Sequence, residues 1–197
     1  MGWWEDPLCQ VWRAPDEPIQ QPFGDPTSFE TLAVAFEPPE AGWIDFVLAS
    51  YRQVALIRIS YLYSSGAEIV AWLEEVARGG FPRLAISEEG SFGELHLFPG
   101  DRFPPSVTWQ PPRRDHVRLC VILRYIVGAE LKLDVVMPRK ALVRAIYRAW
   151  LACHDDDPVR FLDQWSRFGH DDDMPDVPFA RSAFLEEWLG IPSRPTL

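Results

Sequence analysis

The order of its patterned segments restricts the fold of this chain more than any other feature of the sequence. Several strand-like stretches come first, one amphipathic helical pattern follows, and further strands then precede the remaining helices. The strand-like stretches are residues 31–36, 43–49, 53–62, 83–87, 92–98, 117–124 and 130–136. Because a regular alternation of strand and helix is absent, this order predicts an α+β fold, with a mostly antiparallel sheet and helices packed on one face.

The clearest helical pattern begins at Ser65. This residue stands three positions before Glu68, which is the capping-box spacing in which each side chain bonds an unpaired amide of the first turn. Apolar residues then recur at helical spacing as far as Ala77, and Gly79 and Gly80 follow. Later helices are predicted to begin near Pro138, to begin at Asp157 as N-cap, and to span about 178–189.

The strand predicted over 53–62 differs from its neighbours in being apolar on both sides. Val54 and Leu56 alternate with Ala55, Ile57 and Ile59. A strand of this composition is typical of a sheet that is covered on both faces. We therefore expect a central strand.

The length of 197 residues fits one domain. Residues 1–28 contain several tryptophans and prolines without any period, and this predicts an irregular arm whose aromatic side chains pack on the domain itself or on a partner. Residues 29–153 form the expected α+β core. Residues 154–197 form an acidic, helical C-terminal segment.

The three cysteines are odd in number and widely spaced, so neither a disulfide framework nor a zinc site is indicated. The N-terminal residues do not resemble an export signal, and no apolar run of about 18 residues occurs. We expect a soluble cytoplasmic protein that does not engage a membrane.

The formal net charge of −10 is unevenly distributed along the chain. Residues 1–98 carry 15 acidic and 5 basic residues, residues 99–149 carry 4 and 10, and residues 150–197 carry 10 and 4. An acidic surface repels phosphate backbones and accelerates association with basic partners. Simple solubility explains the same acidity.

Two copies of a His-Asp-Asp-Asp tetrad occur at 154–157 and 170–173. Imidazole and carboxylates can hold a divalent metal and activate water. Neighbouring residues in a loop seldom point at one ion, however, and carboxylates also stabilise helix N-termini. We therefore expect no bound metal, and a metal-dependent hydrolase remains an alternative.

A basic stripe is formed by Lys140, Arg144 and Arg148, which stand four residues apart on the helix that begins near Pro138. Such a stripe could bind phosphate, but the acidity of the whole chain argues against nucleic acid and favours pairing with acidic residues. His96 and His116 stand beside strands without a nucleophile nearby in the sequence, and we expect structural roles for both.

Local signatures of the familiar enzyme classes are missing. The chain lacks the phosphate loop, the G-x-G-x-x-G fingerprint, the G-x-S-x-G elbow and the H-E-x-x-H pair. The sequence thus predicts neither a catalytic residue nor a cofactor.

The stretch Trp43–Phe98 resembles small bacterial immunity proteins that are encoded beside polymorphic toxins. The resemblance rests on W-I-D-F-V-L-A, on R-I-S-Y-L-Y-S-S-G-A-E-I-V-A-W-L-E-E-V-A-R-G-G, and on L-A-I-S-E-E-G-S-F-G-E-L-H-L-F. It implies a non-enzymatic inhibitor that covers the active site of a cognate toxin.

These observations predict an immunity or antitoxin-like protein that acts by protein–protein contact. A regulatory binding module unrelated to toxins is a further alternative. The acidic residues expected to contact a partner with a basic cleft are Glu88, Glu89, Asp155, Asp156, Asp157, Asp171, Asp172 and Asp173.

Overall fold

The computed structural model describes residues 28–29, 31–60, 65–88, 90–100, 115–166 and 179–192. Eight strands and four helices lie in these ranges. The strands are β1 (Ser28–Phe29), β2 (Ala33–Phe36), β3 (Trp43–Ser50), β4 (Gln53–Ser60), β5 (Arg83–Glu88), β6 (Ser91–Pro99), β7 (His116–Arg124) and β8 (Ala129–Pro138). The helices are α1 (Ser65–Ala77), α2 (Arg139–Asp155), α3 (Pro158–Ser166) and α4 (Ala183–Leu189).

The strands form two sheets, and the α+β class is confirmed. The larger sheet has the order β1-β8-β7-β6-β5, and the smaller has the order β2-β3-β4. All pairings are antiparallel except that of the two-residue β1 with β8. The strands are thus divided between two sheets instead of forming the single sheet expected.

The two sheets approach closely where β4 meets β6. A Cβ atom added at Gly93 would lie 2.6 Å from Ile57 Cγ2, so glycine is what allows this contact. Both inner faces bury apolar side chains, including Leu95 and Leu119 of the larger sheet and Phe46 of the smaller. The sheets therefore share one apolar interior.

The helices complete the same core. Phe36 stacks on Phe46 with the ring centroids 4.3 Å apart and meets the edge of Trp150 in α2. Two of the buried indoles have acceptors, since Trp72 Nε1 donates to Pro82 O at 3.1 Å and Trp150 Nε1 donates to Ala180 O at 2.9 Å. One cluster of buried side chains runs from Phe36 in β2 to Leu189 in α4.

Two helix ends follow the chemistry that the sequence indicated. Gly79 follows α1 with a φ of 98°, a conformation that favours glycine. Asp157 Oδ1 accepts the Arg160 amide at the start of α3, as expected of an N-cap. The final helix is shorter than predicted, since Ser182 is its N-cap and accepts the Leu185 amide.

The prediction of a central strand over 53–62 is wrong. β4 is the last strand of the smaller sheet. Its inner residues Ala55 and Ile57 are fully buried, whereas Val54 and Leu56 are 58% and 47% exposed. The residues on both sides of this strand are apolar, but only one side is covered among the described residues.

Other predictions fall on residues that the structure does not describe. Residues 1–27 of the arm predicted over 1–28 and the second tetrad at 170–173 lie outside the described ranges. Among the described residues, no helix has the length and apolar character needed to cross a membrane.

Candidate functional site

The outer face of β4 and the tip of the β7–β8 hairpin border an open groove of about 660 Å³. We call it the docking groove. Its lining residues are Trp43, Val54, Leu56, Arg58, Glu88, Leu123, Tyr125 and Lys132. Next to Tyr125 at the hairpin tip, Ile126 and Val127 are 73% and 90% exposed. This surface thus presents apolar side chains to solvent from two separate elements.

The strand register places the apolar residues of the smaller sheet side by side. Leu56 is the direct partner of Val47 in β3, and Val54 is the partner of Ala49. Side chains that are directly opposite point to the same face of a sheet. The outer face of the smaller sheet is therefore apolar across at least two strands.

The hairpin tip brings further apolar residues to the same end of the groove. Gly128 adopts a φ of 94°, and the Tyr125 amide donates to its carbonyl oxygen at 3.0 Å, which closes the turn. Tight turns usually carry polar residues besides glycine. Here the turn holds Tyr125, Ile126 and Val127 outward.

Paired charges surround the apolar floor of the docking groove. Arg58 Nε donates to Asp45 Oδ1 at 3.0 Å, and Lys132 Nζ lies 2.6 Å from Glu130 Oε2. The Glu88 carboxylate accepts the Arg58 amide at 2.7 Å and also bonds the Ser91 hydroxyl. An apolar centre with a polar rim is the usual anatomy of a protein–protein contact surface.

The acidic residues expected at a partner surface do not come together. Glu88 lines the docking groove, whereas Asp156 and Asp157 line a different cleft. Asp155 is bonded within the chain, because Arg181 Nη1 lies 3.1 Å and His154 Nδ1 3.0 Å from its Oδ1. Glu89 and the acids at 171–173 lie outside the described residues.

A second, smaller cleft of about 360 Å³ lies between β2, α2 and α3. We call it the acidic cleft. Its walls are largely apolar, with Val34 and Phe36 on one side and Phe161 on another, and Asp156 and Asp157 belong to its lining.

A buried ionic cluster centred on Glu94 lies on the face of the larger sheet that points away from the smaller sheet. Glu94 Oε1 lies 2.8 Å from Arg124 Nε and 3.2 Å from Arg83 Nη2, and its Oε2 lies 2.8 Å from His96 Nε2. Burial raises the pKa of the Glu94 carboxyl, but the hydrogen bonds from His96 and Arg124 and the charges of both arginines outweigh burial and lower the pKa to about 2. Glu94 is therefore ionised at neutral pH.

A row of chemically active residue types crosses the same face of the sheet. His96, Cys120 and Asp134 are direct partners on β6, β7 and β8. Burial raises the pKa of the Cys120 thiol to about 12, and the Asp134 charge adds to this effect. A nucleophilic cysteine needs a thiolate at working pH, so this row is suited to structural bonding. Arg118 bonds Asp134 through two nitrogens, at 2.8 and 2.6 Å.

Some of the remaining candidate residues contact neighbouring aromatic side chains, and others form no ion pair with a described residue. The His154 ring stacks on Phe179 at 4.1 Å, and the described residues contain no group of three metal-binding side chains placed to hold an ion. Lys140 Nζ lies 5.1 Å from the Trp188 ring centroid. Arg144 and Arg148 are exposed, and no ion pair joins them to another described residue.

Comparison of the chain with protein-family models, curated proteins and solved structures finds no match.

Sequence reasoning missed the docking groove, although its signals are present. The same apolar alternation that suggested a central strand places Val54 and Leu56 on the outer face of an edge strand. The second signal is the run Tyr125-Ile126-Val127 directly before the glycine of a turn. Apolar residues at positions that normally face water indicate a contact surface.

Proposed function

We propose that the protein is a non-catalytic, cytoplasmic immunity-type protein that binds and neutralises a cognate protein toxin, and that the docking groove is its binding face. The observation that carries the proposal is the exposed apolar side of β4, which continues to the β7–β8 hairpin tip. The resemblance of Trp43–Phe98 to immunity proteins supports the choice of partner, and β4 and the Glu88 side of the groove belong to that stretch.

The energetics of the groove support binding by contact. Fully burying a Val or Leu side chain is worth roughly 1.5–3 kcal/mol, and Val54, Leu56, Ile126 and Val127 each retain about half or more of their surface for a partner to cover. Their backbones are already fixed in a strand and a closed turn. Little conformational entropy is therefore lost when a partner binds.

The charge balance supports a basic partner. The chain has a formal net charge of −10, and a field of this sign accelerates encounter with a basic surface. Toxins that act on nucleic acid need basic clefts to hold phosphate groups, so an acidic inhibitor is complementary to them.

The experiment is a rescue assay with the product of the adjacent upstream gene. Expressed alone, this product should arrest growth, and the wild-type protein should restore growth and co-purify with it. Val54→Lys should weaken the complex at least tenfold, because it places a charge at the centre of an apolar contact. Phe81→Lys is the control, since Phe81 is 44% exposed and lines neither the docking groove nor the cleft that Asp156 and Asp157 line.

Two results would contradict the proposal. One is a neighbour that is harmless alone or remains toxic in the presence of this protein. The other is a complex whose affinity is weakened equally by Val54→Lys and Phe81→Lys, which would remove the groove as the binding face. Thermal unfolding of both variants checks that the comparison is made between folded proteins.

A further inference from the structure

The acidic cleft has the form of a side-chain pocket. Val34 and Phe36 of β2 and Phe161 of α3 line it, together with the small residues Ala149 and Ala152 of α2. Its volume of about 360 Å³ lies near the lower end of the roughly 300–1,000 Å³ that is typical of ligand pockets. Such a space accepts one long side chain more readily than a folded segment.

The charges at this cleft are predominantly negative. Asp156 and Asp157 line it, and Glu37 follows directly after Phe36 of the wall. Burial raises the pKa of Cys153 in the cleft wall to about 12, and the charges of Asp156 and Glu37 add to the shift, so both carboxylates act on the interior of the cleft. Arg160 is the cation in the lining.

The charges of Asp156 and Asp157 are not paired with a cation among the described residues. Asp157 Oδ1 accepts the Arg160 amide, which is a contact with the backbone and not with a described cationic side chain. Asp155 differs, because Arg181 already neutralises it.

We propose that the acidic cleft binds one long cationic side chain, arginine or lysine, presented by the protein partner. The methylene stem lies against Val34, Phe36 and Phe161, and the cationic head meets Asp156 and Asp157 at the cleft. Arginine and lysine combine an apolar stem with a charged head, which matches apolar walls that end in carboxylates. The inference rests on the proposed function for the identity of the protein that carries this side chain.

The test uses two peptides and the full chain. The probe is acetyl-Gly-Gly-Arg-Gly-Gly-amide, and its control replaces arginine with citrulline, which has nearly the same shape and no charge. Binding is followed by amide chemical shifts in two-dimensional NMR spectra at low ionic strength. The lysine version of the peptide forms a second arm of the experiment.

The expected shifts are confined to β2, the end of α2 and the start of α3, and the citrulline peptide produces none at the same concentration. The double variant Asp156→Asn, Asp157→Asn should weaken the arginine peptide about tenfold, since two nearby charges at a surface are lost. Asparagine can still cap α3. Arg160→Gln should strengthen binding several-fold, because a like charge is removed.

The control variant is Asp163→Asn, which removes an exposed carboxylate of α3 that does not line the cleft and should leave the affinity unchanged. The inference is overturned if both peptides bind equally, if no shifts appear, or if Arg160→Gln weakens binding. It is also overturned if Asp163→Asn has the same effect as the double variant. The peptide experiment contains no toxin, so a negative result there does not decide the rescue assay. A negative rescue assay, in turn, does not decide whether the cleft binds an arginine side chain.

Discussion

Replacing Glu94 by glutamine should reveal how much one buried carboxylate contributes to this fold. Its side chain is 1% exposed and faces Arg83, Arg124 and His96. Glutamine keeps the shape of a protonated glutamate but carries no charge. The variant therefore leaves two arginines without their anion, while the packing of the sheet is nearly unchanged.

The size of the expected destabilisation follows from the pKa of the Glu94 carboxyl. Its ordinary pKa is 4.5, and the cluster lowers it to about 2 in the folded protein. Since one pH unit corresponds to about 1.4 kcal/mol, the ionised form of Glu94 stabilises the fold by roughly 3 kcal/mol at neutral pH. Because the folded pKa is depressed, this stabilisation is complete above pH 4.5 and is lost as the pH falls from about 4.5 through about 2.

The measurement is urea unfolding of wild type and Glu94→Gln, followed by tryptophan fluorescence between pH 7 and pH 3. We expect a difference of roughly 3 kcal/mol in the free energy of unfolding from pH 7 to 5 and a smaller difference at pH 3. Glu187→Gln, at an exposed position of α4, should change stability by less than about 0.5 kcal/mol. A Glu94→Gln effect that equals this control, or that does not diminish as the pH falls, would refute the reasoning.

Three further predictions concern the interior. Gly93→Ala should destabilise the fold by about 1–3 kcal/mol, because the new methyl group overlaps Ile57. In chemical unfolding, the double variant with Ile57→Ala should lose less stability than the sum of the two single variants. Arg139→Met should cost about 1–3 kcal/mol and lower the melting temperature, since Arg139 Nη1 donates to two carbonyl oxygens at the end of α1, at 2.7 and 2.6 Å. Cys120 and Cys153, whose thiol pKa values are raised to about 12, should resist alkylation at pH 8 until urea unfolds the protein, as counted by mass spectrometry.

Local patterns in the sequence were sufficient for most of the secondary structure. The glycines after α1, the N-cap at Asp157 and the turn at Gly128 are set by neighbouring residues, so they can be recognised without the rest of the chain. The α+β class followed from the order of these elements.

The division into two sheets could not be predicted in the same way. It depends on which strands meet across long sequence separations, such as Phe92 in β6 with Arg124 in β7. The error over β4 has a similar origin, because apolar residues on both faces are equally compatible with a covered strand and with an exposed binding face. The ionic cluster at Glu94 was missed because its members lie on three different strands.

The residues of β4 alternate between two roles, which are packing in the core and contact with a partner. Ala55, Ile57 and Ile59 pack in the core. Val54 and Leu56 are exposed to solvent, where a binding partner can contact them. The outer residues can therefore be exchanged without disturbing the interior, and the same holds for the residues at the hairpin tip. A protein built in this way can acquire a new partner through a few surface substitutions while its fold and stability stay constant.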